Sequence, residues 1–398
     1  MKKIFLFVII IIFLPFSSIF SLWEPVNNGI GDDIMLCLGT QDSLIFAGSM
    51  FSGAFISSDN GENWIKTKEK FGMGGISCFV ENNGNIFAGT WHEGIYISTD
   101  KGENWELVNI WRYEINNINS IAFMGNYFFA GAEEKGIYLS TNNGETWSEL
   151  NQGLNNKKIK SLAVKGDTVF VGFHFSCGIQ EGGLYRSIDK GNNWEAINHE
   201  LVYYEPIWLL AINDNTIFAG NALGLKKSTD GGENWEHTNK GIKDSIIQSI
   251  AIIDKNVIIG TVDKLYLSTN DGAKWKDITS WLKIDADFIS FTYQSPYVYV
   301  AIGTQGIYRA KLIDLITSVD DENGELSSSN LVYPNPINDK LFIKSQNSII
   351  TSKIEIYNLV GLKVLETGFK EEIDVSNFMP GVYFLRIGND NIKFIKSQ

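Results

Sequence analysis

Residues 98–105 read Ser98-Thr99-Asp100-Lys101-Gly102-Glu103-Asn104-Trp105, and the phrase occurs five more times. The other copies are SSDNGENW from Ser57, STNNGETW from Ser140, SIDKGNNW from Ser187, STDGGENW from Ser228 and STNDGAKW from Ser268. With Trp23 added, the recurring tryptophans are Trp23, Trp64, Trp105, Trp147, Trp194, Trp235 and Trp275, spaced by 41, 41, 42, 47, 41 and 40 residues. A fixed period near 40 residues with four short strands per unit marks the blades of a propeller.

The phrase has a mechanical reading as a turn. Its acidic or amide residue (Asp59, Asp100, Asn142, Asp189, Asp230, Asn270) accepts hydrogen bonds from backbone N–H groups of its own turn. The glycine that follows (Gly61, Gly102, Gly144, Gly191, Gly232, Gly272) supplies a positive φ. The tryptophan then opens the next strand and buries its ring between neighbouring sheets. A calcium loop would need a bidentate glutamate at its end, and none follows at that spacing. The expected role is structural, with no metal and no cofactor.

The rest of each unit repeats as well. Runs such as IFAG at Ile45, Ile86 and Ile217, and VFVG at Val169, read as buried strands. A Gly94-Ile95-Tyr96-Ile97-Ser98-like strand follows, and an apolar run such as Ser120-Ile121-Ala122-Phe123 precedes. A seventh unit has three strands, at 289–291, 298–301 and 306–309, with no box after them. The missing strand is at the other end, where Trp23-Glu24-Pro25-Val26 matches Trp105-Glu106-Leu107-Val108. Lending it to the last blade would close the ring and remove open sheet edges. The expected fold is therefore all-β: a seven-bladed propeller closed by the N-terminal strand, followed by a small Ig-like β-sandwich.

These turns resemble the Asp-box (BNR) repeats of sialidase-like propellers, over residues 22–311. The resemblance implies the fold. For activity it implies a range, from sialidases and xyloglucan-cleaving endoglucanases to sortilin-type receptors and photosystem II assembly factors. Sialidases carry an arginine triad and an Arg-Ile-Pro motif. Here the ring has only Arg112, Arg186 and Arg309 and no such motif, so sialidase activity is not expected.

The two ends speak of export. Met1-Lys2-Lys3, an apolar run from Ile4 to Phe16 and then Ser17-Ser18-Ile19-Phe20-Ser21 form the three regions of a secretory signal, 1–21. Pro15 and the serines break the run before a spanning length, so no transmembrane segment is expected in the mature chain. After the ring, 312–329 turns acidic and serine-rich and reads as a solvated linker. Residues 330–398 hold Tyr333-Pro334-Asn335-Pro336, then Ile354-Glu355-Ile356-Tyr357-Asn358, Gly381-Val382-Tyr383-Phe384-Leu385 and Lys393-Phe394-Ile395-Lys396. In that order they resemble the type A C-terminal sorting domain of type IX (Por) secretion. The resemblance implies the type IX machinery as partner and delivery to the outer-membrane surface or beyond.

Composition narrows the partners. The formal net charge is −13, which argues against nucleic acid. Three cysteines make no disulfide framework; Cys37 and Cys78 fall in innermost-strand patterns as buried thiols, and Cys177 falls in a loop.

Four tryptophans lie outside the repeat: Trp91, Trp111, Trp208 and Trp281. All map to the face carrying the interblade loops, with Tyr113, Tyr203 and Tyr204 beside them. Glu93, Glu114, Glu205, Asp263, Asp285 and Asp287 fall in the same loops. Aromatic platforms bordered by carboxylates suit sugar rings, while sealing of the ring is the plainer use of such side chains. His92, His174 and His199 come from different blades without metal-ligand spacing. Two classes of function follow. One is an exported binding module for glycan or protein on this face. The other is a glycoside hydrolase resembling the xyloglucan-active propellers, with catalytic carboxylates among Glu93, Glu205, Asp263 and Asp285.

Overall fold

The computed structural model describes residues 22–396 except 69–70, 72–74, 109–116, 174–182, 198–205, 214–215, 244–245, 281, 283, 285–288, 321–329, 334–338, 346–352, 359–361 and 388–389. The chain divides at Val319/Asp320 into two compact units.

In the first unit the described strands form seven four-stranded antiparallel sheets. The second blade shows the plan: Ile76–Asn82 innermost, then Asn85–Thr90, Ile95–Ser98 and the short outer Glu106–Leu107. Its second strand is buried almost throughout because neighbouring sheets cover both faces. Its Gly89 sits where the next blade presses in. A Cβ there would lie 2.8 Å from Cys78 Sγ and 2.9 Å from Ile118 Cγ2, so only glycine admits the approach.

The repeated turn fastens each third strand to its fourth. Ser98 Oγ donates to Asp100 Oδ1 at 2.9 Å and accepts the Gly102 N–H at 2.7 Å. Asp100 accepts the Asn104 backbone N–H at 2.9 Å and its side-chain amide at 2.6 Å. Asp59, Asn142, Asp189, Asp230 and Asn270 take the equivalent backbone N–H. These donors stabilise the ionised form, and the Asn234 pair draws the Asp230 carboxyl down to about 2. The tryptophans fill the seams between blades. Trp105 lies edge-on to Phe46 of the preceding blade, with ring centroids 6.4 Å apart.

The first and last blades meet through the N-terminal strand. Glu24–Pro25 pairs antiparallel with Gly306–Lys311, setting Glu24 opposite Arg309 and Pro25 opposite Tyr308. Trp23 is fully buried, and its indole donates to Ile278 O at 2.8 Å.

One expectation differs from the structure. Residues Leu312–Asp320, read from composition as the start of a solvated linker, form a helix. Leu315 is fully buried against the last blade, with Leu312 and Ile316 beside it. The i, i+3, i+4 spacing of these three gives the helix an apolar stripe despite its acidic surroundings.

In the second unit, Asn330–Tyr333, Lys340–Ser345 and Glu372–Asp374 make one sheet. Lys363–Gly368, Lys353–Asn358, Gly381–Ile387 and Asp390–Lys396 make the other. Alternate residues such as Leu341, Ile343, Ile354, Ile356 and Leu385 form the shared core.

Candidate functional site

The innermost strands break register at one place in blade after blade. Pairing skips Leu36, Ser77, Asn119, Lys160 and Gln248, each flanked by an apolar residue before and a cysteine or serine after. In the fifth blade Trp208 immediately precedes the strand Leu209–Ile212 and takes the same place. Such an inserted residue is turned out of the ladder and re-aimed. Here all six line one cavity of about 520 Å³ at the mouth of the ring, where the innermost strands converge.

Several of these side chains bind the neighbouring blade. Ser77 Oγ donates to Ile118 O, and Asn119 Nδ2 donates to Ile159 O at 2.8 Å. The Trp208 indole donates to Ile247 O at 2.6 Å. Cys37 Sγ to Ile76 O (3.3 Å) and Ser161 Oγ to Ile207 O (3.4 Å) do the same from the next position. At the sixth blade the corresponding residues are Gln248 and Ser249. Gln248 Oε1 and Ser249 Oγ are buried atoms without a hydrogen-bond partner.

Trp91 reaches the same cavity from the loop after Asn85–Thr90. Its backbone N–H donates to Gly75 O at 2.9 Å, and the His92 backbone N–H to Asn117 Oδ1 at 2.9 Å, which pins the loop to its own blade and to the next. Lys160 supplies a cation. Burial pushes its ammonium below the ordinary lysine value, and the charge of Glu133 offsets part of that.

Trp91 and Trp208 thus line one cavity, from the second and fifth blades. Of the carboxylates singled out from sequence, Glu93 accepts the Tyr96 hydroxyl at 2.5 Å, and Asp263 accepts from Thr261 Oγ1 at 3.3 Å. Neither is on the cavity wall, and among the described residues no carboxylate is. Trp111, Tyr113, Tyr203, Tyr204, Trp281, Glu114, Glu205, Asp285, Asp287, His174, His199, Cys177 and Arg112 lie outside the described residues. Cys37 and Cys78 are free thiols. Among the described residues no His, Cys, Asp and Glu cluster is placed to hold a metal, and no helix is long and apolar enough to cross a membrane.

Sequence reasoning missed Lys160, Asn119, Gln248 and Ser77. The signal was present as the one variable position in an otherwise repeated phrase, as in Ile118-Asn119-Ser120, Ile159-Lys160-Ser161 and Ile247-Gln248-Ser249. A position that varies while both neighbours repeat is free of the blade's packing demands.

Comparison with known proteins supports both units. Residues 331–398 match the secretion system C-terminal sorting domain, and residues 113–249 match the DUF6242 beta propeller domain. No protein of curated function matches the chain. Among solved structures, the chain is similar to PorZ, an essential bacterial surface component of the type-IX secretion system of Porphyromonas gingivalis. The identity is 15%, with 93% of this chain and 60% of PorZ covered, at a TM-score of 0.53. YCF48 bound to D1 peptide is 14% identical over 73% of this chain and 97% of its own, at a TM-score of 0.57; YCF48 has also been solved from Cyanidioschyzon merolae. The GH74 enzyme of Niastella koreensis is 17% identical over 70% of this chain, at a TM-score of 0.53, and this chain spans 43% of its length. At such identities the likeness speaks for the fold alone. The chain is a β-propeller carrying a C-terminal sorting domain, which sends it by type IX secretion to the cell surface or the extracellular space.

Proposed function

We propose that this protein is an exported binding module that takes a ligand, glycan or protein, in the mouth of an Asp-box ring. One observation carries the reading: two tryptophans from different blades line a cavity of about 520 Å³ whose described lining holds no carboxylate. That volume is in the range of small-ligand sites, and exposed indole faces stack on sugars and apolar side chains alike. YCF48 bound to D1 peptide is a precedent for a polypeptide ligand on this fold. Hydrolysis of a glycosidic bond would need two carboxylates facing across the substrate. Glu93 is instead engaged by the Tyr96 hydroxyl, off the cavity wall, and the likeness to a GH74 enzyme is one of fold.

In the proposed domain scheme, 1–21 is a cleaved export signal, 22–311 the ring and 330–398 the sorting domain. The test is a glycan array and a peptide array probed with the mature protein, followed by calorimetry on each hit with Trp91→Ala. Ligands whose binding is lost in that variant support the mouth as the site. Release of reducing ends from xyloglucan by the wild-type chain would replace binding with hydrolysis.

A further inference from the structure

The binding reading can be narrowed to a class of ligand, and the narrower claim rests on it. At five successive seams, the leading carbonyl of the next blade is already used, at Ile76, Ile118, Ile159, Ile207 and Ile247. An extended polypeptide is held chiefly by free backbone groups of a strand edge. At this mouth that one carbonyl is spent on the neighbouring blade at each of the five seams, and the side chains on the wall offer the more varied contacts.

The side chains present are of three kinds. Trp91 and Trp208 offer apolar faces. Asn119 and Gln248 line the wall with amide groups, and beside them Gln248 Oε1 and Ser249 Oγ are buried without a partner. Leaving a buried polar atom unpaired costs about 1–3 kcal/mol, so such atoms normally have a partner. Lys160 is the third kind, the one cation among the described lining residues, with no carboxylate on the wall beside it. A half-buried ammonium in that setting favours an anion brought by the ligand.

We propose that the mouth binds the end of an acidic oligosaccharide, with a uronate carboxylate on Lys160 and sugar faces on Trp91 and Trp208. The side-chain amides of Asn119 and Gln248 on the cavity wall serve the ring hydroxyls. The cavity lies where the innermost strands converge, which admits a chain end more readily than the middle of a polymer. A neutral sugar would leave Lys160 with only the charge of Glu133, off the cavity wall, to face. A peptide carboxylate would also satisfy Lys160, so an acidic peptide is among the comparisons.

The experiment is calorimetry on the full mature chain with tetragalacturonate and tetraglucuronate. Their methyl esters, neutral cellotetraose and an acidic peptide with a free C-terminus are the comparisons. One free acid binds, and its ester binds at least about tenfold more weakly, since loss of one charge-assisted contact is worth about that factor. Lys160→Met lowers affinity for the acid similarly with an unchanged melting point, and Lys160→Arg restores part of it. The ester comparison uses the wild-type chain and stands even if a variant fails to fold. Equal binding of acid and ester, or binding of neither acid, overturns the uronate assignment. The general binding reading then survives only if an array ligand is lost with Trp91→Ala. Preferred binding of the peptide, abolished by Lys160→Met, overturns the sugar class and keeps the site.

Discussion

Arg309 Nε lies 2.5 Å from Glu24 Oε1, joining the third strand of the last blade to the N-terminal strand beside it. The same guanidinium reaches Glu62 Oε1 at 2.5 Å and Asn60 O at 2.5 Å, in the turn of the first blade. Its face lies 4.8 Å from the Tyr297 ring centroid. Arg186 repeats the device one half-ring away, with Glu195 at 2.5 Å, Glu233 at 2.6 Å and Gly231 O at 3.1 Å. These arginines are interblade staples, which is a use far from any sugar-carboxylate clamp.

Arg309→Met is expected to cost about 1–2 kcal/mol, because a largely buried fork with several partners is lost while its exposed glutamates regain water. Arg186→Met is expected to cost less, since its in-blade partner Glu195 lies on the strand the chain leads to next, whereas Glu24 reaches the strand of Arg309 only by pairing. Urea denaturation of both variants checks the order, and a larger loss for Arg186→Met would contradict it.

Removing 22–26 takes the fourth strand from the last blade and the fully buried Trp23 from its seam. The single change Trp23→Ala alone is expected to cost about 3–5 kcal/mol by leaving a cavity. A truncated chain that melts within a degree or two of the intact one would show that the strand adds nothing.

Trp147, buried between blades with its indole donating to Gly144 O at 3.0 Å, and half-buried Trp91 should respond differently to truncation. Trp147→Ala is expected to cost about 3–5 kcal/mol, and Trp91→Ala to leave the melting point nearly unchanged. Thermal melts of the two variants decide this before any ligand is in hand.

Acid should loosen the repeated turns. Asp59, Asp100, Asp189 and Asp230 all have carboxyls held below the ordinary aspartate value, chiefly by the asparagine four residues on. A depressed folded-state value means the folded chain binds fewer protons, so these turns stabilise it above about pH 4 and lose that contribution as pH falls toward about 2. Asp230→Asn should melt like the wild type near neutral pH and lose less stability at pH about 2.5. Asn142 and Asn270 already hold the same turn with an amide oxygen. Equal acid sensitivity of variant and wild type would rule out Asp230 as a contributor.

Deleting 330–398 should leave the ring in the periplasm of a host with type IX secretion, while fusing the segment to an exported reporter should carry that reporter to the surface. Immunoblots of fractionated cells read both outcomes.

The turn geometry was legible because each copy repeats the residues that make its hydrogen bonds, from Ser98 and Asp100 to Gly102. The mouth was half legible. Trp91 stands out as an aromatic in a loop, whereas Lys160 and Asn119 sit inside a strand phrase and are exposed to the cavity only by a register break that composition does not reveal. Arg309 looked like an ordinary strand residue because its partners are 285 and 247 positions away. Gly89 read as the end of an apolar run, and its reason, the approach of Ile118, belongs to another blade. The helix Leu312–Asp320 escaped notice because three apolar side chains are too few to outweigh an acidic neighbourhood.

The contact between Glu24 and Arg309 spans most of the first unit, so its loop-closure cost is high. Contacts of such long sequence separation are expected to form after local hairpins such as Ile76–Thr90. Interactions absent from the folding transition state govern how fast a protein comes apart rather than how fast it assembles. The working lifetime of this ring outside the cell is therefore expected to depend on the pairing of its N-terminal strand with the last blade more than on any local hairpin.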